Sequence, residues 1–178
     1  RQRQMCIRDS NNAGDTGSIT LNGIGDGDPA AGSAATLIGG AGTVGMTLNG
    51  EFYDTGSATY QVASGTIDVA RGTNGTTEFG ISNAGLTFTG GNVSLANGTN
   101  LSISTGNGAV SVPGIRANSS ETVGISTTGN ISIGTGGIGS GNQINNVTLG
   151  AGTVLLSGDI VTDNNDGDVS ITGALSLS

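Results

Sequence analysis

The side chains with the most chemistry in this sequence are four neighbouring carboxylates, Asp159, Asp163, Asp166 and Asp168, in the run DIVTDNNDGD. Carboxylates spaced this way suit two kinds of work: oxygen ligation of Ca²⁺, or acid and base roles on a glycosidic bond. Asp163, Asp166 and Asp168 are therefore the calcium candidates, and a carbohydrate-active enzyme would have to use the same three. The spacing is not that of an EF-hand loop, because placing Gly167 at the sixth position puts Thr162 where the first Asp belongs. Asp166-Gly167 is also an ordinary turn dipeptide, so a solvated corner accounts for the cluster without a ligand. Asp26 and Asp28, just before Pro29, read the same way.

Other site chemistries lack their residues. Histidine is absent, which removes a Ser-His-Asp triad, and lysine is absent, which removes the phosphate-cradling loop G-x-x-x-x-G-K-[ST]. The glycine runs 39–42 and 134–141 share with the calcium-roll nonapeptide only their glycines. Where that roll needs Asp, the register from Gly136 holds Gly141 and the register from Gly39 holds Val44. Neither run supplies the ligand. No catalytic residue, metal or cofactor is expected, and Arg71 and Arg116 read as lone surface charges.

The composition narrows the class of partner. Residues 1–10, RQRQMCIRDS, resemble the conceptual translation of a sequencing-library transposon adapter: Met5 to Ser10 back-translate to ATG-TGT-ATA-AGA-GAC-AG. They are read as a non-native, disordered segment. Without them the chain has no cysteine, and two arginines face twelve acids, a net charge of about −10. Such a charge disfavours nucleic acid and anionic membrane. No run of 18 or more apolar residues is present, so no transmembrane helix and no membrane insertion are expected from this stretch. The remaining residues, 11–178, are read as one domain truncated at both ends.

These side chains must be positioned by short strands. With 35 glycines, 3% aromatic and 10% charged residues, the chain lacks the makings of a thick globular core, where about 25% would be charged. Ile, Leu, Val and Phe together are near the level at which disorder becomes the alternative. Their placement argues against it. Val93-Ser94-Leu95, Leu101-Ser102-Ile103, Val110-Ser111-Val112, Ile131-Ser132-Ile133, Val147-Thr148-Leu149, Val169-Ser170-Ile171 and Leu175-Ser176-Leu177 alternate apolar and hydroxyl side chains with the period of a strand. Gly, Asn and Asp between them supply the corners.

Coils opening near Ile19, Met46, Ile67, Leu86, Val110, Ile131, Val154 and Val169 repeat at about 21 residues, within the range that marks solenoids. The fold expected is all-β, a right-handed parallel β-helix of roughly 7–8 coils. The drift of the period disfavours a left-handed hexapeptide helix. Residues 23–45 fit worst and read as an irregular excursion containing one buried pair, Leu37 and Ile38. All five aromatics fall within 52–88. They form either an internal stack across consecutive coils or an exposed platform for carbohydrate.

The units SITLNG, NVSLANGTNLSIS, NISIGTGGIGSG and DNNDGDVSITGALSLS resemble the β-strand repeats of filamentous-haemagglutinin-like bacterial exoproteins, exported by two-partner secretion or as autotransporter passengers. The likeness covers most of residues 11–178 and rests on composition and rhythm. It implies a secreted or surface-displayed stalk of an adhesin, associated with the outer membrane and active in biofilm formation. It further implies an outer-membrane secretion pore and flanking coils of the same longer chain as partners, with host or environmental glycans as the surface met. The alternatives are a polysaccharide lyase or hydrolase built on the same helix, using the Asp cluster, and a surface-layer or phage-fibre segment. An enzyme should gather carboxylates from successive coils in one groove, and no second acid cluster lies one coil, about 21 residues, before Asp163. A stalk should spread Ser, Thr and Asn evenly.

Overall fold

A computed structural model of the chain describes residues 17–25, 36–71, 75–118, 120–163 and 166–178. The adapter-like segment, Asp26, Asp28 and much of the 23–45 stretch lie outside them. The described residues contain strands and no helix. In chain order the strands are β1 (Gly17–Leu21), β2 (Thr36–Gly39), β3 (Thr43–Leu48), β4 (Ala58–Gln61), β5 (Ile67–Val69), β6 (Thr76–Gly80), β7 (Leu86–Thr89) and β8 (Val93–Leu95). They continue as β9 (Asn100–Ser104), β10 (Val110–Val112), β11 (Ile115–Arg116), β12 (Thr122–Ser126), β13 (Asn130–Ile133), β14 (Asn146–Leu156) and β15 (Asp168–Leu177).

Every strand pairing is parallel, and no strand pairs with its immediate neighbour in sequence until β13 meets the closing half of β14, and β14 then meets β15. Parallel pairing without hairpins requires the chain to circle an axis before it returns beside itself. It does so over three faces in fixed order. The first face stacks β1, β3, β5, β8 and β11 and continues through single bridges to Ile138 and Ile160. The second stacks β6, β9, β12 and the opening halves of β14 and β15. The third stacks β2, β4, β7, β10, β13 and the closing halves of β14 and β15. The result is a β-solenoid of about six turns.

Period-two alternation fills the interior. Leu101, Val123 and Val147 form one inward column on the second face, and Ile103, Ile125 and Leu149 another. On the third face Leu86, Val110, Ile131 and Val154 align. On the first, Met46, Ile67 and Val93 continue into Ile115 and Ile138. All of these are buried.

Four of the five aromatics stack inside two successive turns. Tyr53 lies on Phe79 at 5.0 Å and Tyr60 on Phe88 at 5.3 Å, nearly parallel. Tyr60 and Phe79 meet edge to face at 5.4 Å, a favoured aromatic geometry. Of the two aromatic arrangements open from sequence, the internal stack is the one present. Phe52 alone points outward and is half-buried.

Two expectations need correction. The turn count is about six rather than seven or eight, because the eight openings chosen by apolar rhythm belong to different faces. Ile19, Met46 and Ile67 open the first face; Leu86, Val110, Ile131 and Val154 lie on the third; Val169 lies on the second. Changing face part-way round inflates the count. Hydrogen-bonded residues one turn apart give the spacing directly: 22 for Asn100 and Thr122, 21 for Ser157 and Ser178. Leu37 and Ile38 are not a buried pair either. Adjacent residues of a strand face opposite ways, so Ile38 packs on the core while Leu37 is 63% exposed.

Candidate functional surface

The acid cluster does not assemble. Asp159 sits exposed at the corner leading to the first face, where its carbonyl accepts from the Ile138 N–H at 2.8 Å. Asp163 closes a turn, its carbonyl accepting from Gly167 N–H at 3.2 Å. Asp166 is exposed in that turn, and Asp168 opens β15, its N–H donating to Asn146 Oδ1 at 3.0 Å. Among the described residues, no three His, Cys, Asp or Glu side chains gather where a metal ion would sit. Asp163 and Asp166 flank the turn, and Asp168 opens the strand that follows it.

Beside Asp159 a shallow concavity of about 340 Å³ is lined by Leu156, Ser157, Ile160, Leu177 and Ser178; a second concave feature lies on the edge where the second face turns into the third. There an open groove of about 550 Å³ runs along the stack. The sequence positions it through register: Ser104 aligns with Ser126, Ser126 with Gly150, and Gly150 with Thr172, so one column presents hydroxyl, hydroxyl, bare backbone and hydroxyl. Gly106, Gly152 and Ala151 keep the floor low, and Thr127 and Thr128 form the wall. The wall is held firmly. Thr127 Oγ1 donates to the carbonyl of Gly108 (2.6 Å), and Thr128 N–H to that of Gly106 (2.7 Å). The groove carries no carboxylate, imidazole or amine. A hydroxyl without a base beside it hydrogen-bonds but does not attack, so this lining can recognise polar groups at the repeat of a parallel sheet, about 4.8 Å.

Outward columns of the same kind cover the faces. Thr59, Thr87, Ser111 and Ser132 follow one another on the third face, and Glu78 and Ser102, then Thr148 and Ser170, on the second. The first face carries Thr47, Asp68, Ser94 and Arg116 in one column. Neither arginine is a lone charge. Arg71 Nη2 pairs with Glu51 Oε2 at 2.7 Å and Nη1 donates to the carbonyl of Thr76. Arg116 donates through Nε (3.1 Å) and Nη2 (3.3 Å) to Asn92 Oδ1, in the amide orientation its surroundings favour.

The most unusual ionisable group is one that sequence patterning passes over. Glu121 is fully buried at the corner between the first and second faces. Its carboxylate accepts from Gly98 N–H (2.7 Å), Asn118 N–H (2.6 Å) and Ser120 N–H (3.1 Å), and from Ser120 Oγ (3.2 Å). Burial pushes its pKa up; the N–H groups of Asn118 and Gly98 and the Ser120 hydroxyl outweigh burial and hold it below the ordinary glutamate range. Its own carbonyl accepts from Asn145 N–H at 2.9 Å. One residue thus ties three consecutive turns. The signal was a lone Glu after Ser-Ser; its decisive partner, Gly98, is 23 residues away.

Compared with protein-family models, curated proteins and solved structures, the chain matches none of them.

Proposed function

We propose that this chain is a structural repeat segment of the stalk of a secreted or surface-displayed bacterial adhesin of the filamentous-haemagglutinin-like kind, without a catalytic role. The observation that carries the reading is the distribution of outward side chains. Ser and Thr recur in columns along the third face, and the groove between the second and third faces is lined by hydroxyls and bare backbone. A polysaccharide-cleaving enzyme of similar architecture needs paired carboxylates at its groove.

In this reading the chain crosses the outer membrane through a secretion pore, flanking coils of the same longer chain extend the stack, and the shaft reaches host or environmental glycans. Contact is weak per turn and gains strength through copy number. Cell-surface display and a part in biofilm formation follow from the same proposal.

The test has two arms. Beads bearing the purified chain are expected to be retained on polysaccharide-coated surfaces in proportion to loading density, and the chain is expected to release no reducing or unsaturated ends from pectate, polygalacturonate or similar polymers. Release of product that disappears in Asp163→Asn, Asp166→Asn or Asp168→Asn would replace the stalk with the enzyme reading. Absence of retention at any density would remove the adhesive role.

A further inference from the structure

Five Asn-Gly pairs occur in the sequence, at Asn22, Asn49, Asn74, Asn97 and Asn107. Asparagine is thermolabile, and most so before glycine, whose nitrogen approaches the preceding carboxamide unhindered by a Cβ. When that nitrogen bonds to the asparagine Cγ, the new bond takes the direction the N–H bond had. An N–H held by a fixed acceptor points away from Cγ and stays out of attack geometry. What holds each glycine N–H therefore sorts the pairs.

Asn74 lies outside the described residues. Gly50 N–H donates to Tyr53 Oη at 2.9 Å, and Gly23 N–H faces the same hydroxyl from the preceding turn. Gly108 N–H donates to the Thr105 carbonyl at 3.0 Å, while its own carbonyl accepts from Thr105 Oγ1 and Thr127 Oγ1, both at 2.6 Å. At Gly50 and Gly108 the acceptor is three residues away, within the same corner.

Asn97 is held differently. It is exposed at a tight corner that Thr99 N–H closes onto the Ala96 carbonyl at 2.9 Å, with Gly98 at a φ of +76°. Gly98 N–H donates at 2.7 Å to Glu121 Oε1, on a residue 23 positions along the chain. The acceptor arrives only when the next turn is docked. Separation of two turns is enough to release this N–H, without any change inside its own corner.

We propose that Asn97 is a covalent modification site, an isoaspartate-forming asparagine that the Glu121 carboxylate keeps closed while the two turns are docked. Once released, Gly98 N bonds to Asn97 Cγ, the Cγ–Nδ2 bond breaks, and Nδ2 leaves as ammonia carrying the proton from the Gly98 nitrogen. Water then opens the succinimide at either carbonyl, giving aspartate or isoaspartate, the latter with its backbone running through an extra methylene. That insertion, with a new carboxylate near Glu121, keeps the turns from closing again, so a transient opening becomes permanent. The assignment is independent of whether the solenoid is a stalk or an enzyme.

The test incubates the intact folded chain in mildly alkaline buffer, with peptides spanning each Asn-Gly pair as the open reference. Isoaspartate is read by methyl transfer from S-adenosylmethionine with a protein isoaspartyl methyltransferase and placed by peptide mapping. In the wild-type chain Asn97 is expected to react about tenfold more slowly than its peptide, the factor set by a hydrogen bond to a charged acceptor. Glu121→Ala is expected to bring Asn97 close to the peptide rate while Asn49 and Asn107 stay slow. Tyr53→Phe, which leaves the Glu121 corner intact, is expected to speed Asn49 and not Asn97. Wild-type Asn97 reacting as fast as its peptide, or Glu121→Ala either leaving Asn97 slow or speeding all three sites alike, would overturn the assignment.

Discussion

Two buried polar groups of this molecule are in opposite circumstances, and the difference determines what their replacement does. Tyr53 Oη donates to the Leu21 carbonyl and accepts from Gly50 N–H, both at 2.9 Å, so it joins neighbouring turns. Tyr60 Oη is buried without a partner. Burial pushes the pKa of Tyr60 upward, and the neighbouring Tyr53 and Asp54 push it further. Tyr60→Phe removes only an uncompensated hydroxyl and is expected to stabilise the chain or leave it unchanged, whereas Tyr53→Phe orphans the buried Gly50 N–H, the Leu21 carbonyl keeping its bond from Asn49 N–H, and should cost about 1–3 kcal/mol. Urea midpoints of the two variants read the contrast; equal loss in both would contradict it.

Glu121 makes a pH prediction with a definite sign. Its folded pKa lies below the ordinary 4.5. The stability it contributes is therefore fully present above that value and is lost as pH falls through the lower folded value. Glu121→Gln should flatten the acid limb of a stability–pH curve below that ordinary value. Glu121→Ala removes the acceptor shared by three part-buried N–H groups and is expected to cost about 1–3 kcal/mol at neutral pH. An acid limb unchanged in Glu121→Gln would count against the corner staple.

Strands and corners show which parts of the fold were legible in sequence. Val93-Ser94-Leu95 and Ile131-Ser132-Ile133 announce their inward and outward faces because alternation is local. Which face of the solenoid a strand joins is not local: it depends on corner length, and Leu86 follows Ile67 with the same rhythm although one lies on the third face and the other on the first. The capture of Glu121 by the preceding turn was hidden for the same reason. Corners also set the tolerance to substitution. Gly90 has a φ of +88°, and an added Cβ there would collide with the Val62 carbonyl oxygen. Gly124 is an ordinary strand residue with open space where its Cβ would stand. Gly90→Ala is expected to destabilise by about 2–4 kcal/mol, and Gly124→Ala to be neutral or stabilising by up to about 1 kcal/mol. Thermal midpoints of the two variants test this directly.

For the molecule as a whole, a stack in which each turn touches only its neighbours makes stability a sum of local terms. Position along the axis then governs the cost of a charge placed inside. Val147 is buried between two layers, whereas its partner Val169 in the last described layer is 46% exposed. Val147→Asp should disrupt the central turns and raise protease sensitivity throughout. Val169→Asp should loosen β15 alone, and Ser170→Asn, on the outer face, should be tolerated. Limited proteolysis distinguishes these outcomes, and equal cleavage in Val147→Asp and Val169→Asp would deny the layered arrangement.

The ring stack has a practical corollary for anyone following unfolding by light. Tyr53 and Tyr60 are the only tyrosines and there is no tryptophan, so intrinsic emission and near-ultraviolet dichroism both originate in the two turns that hold the four packed rings. In a fold whose turns can part company, that optical signal reports on one end. The aliphatic layers from Leu101 onward can fray in spectroscopic silence, and a tryptophan placed at Ile133 would give them a voice.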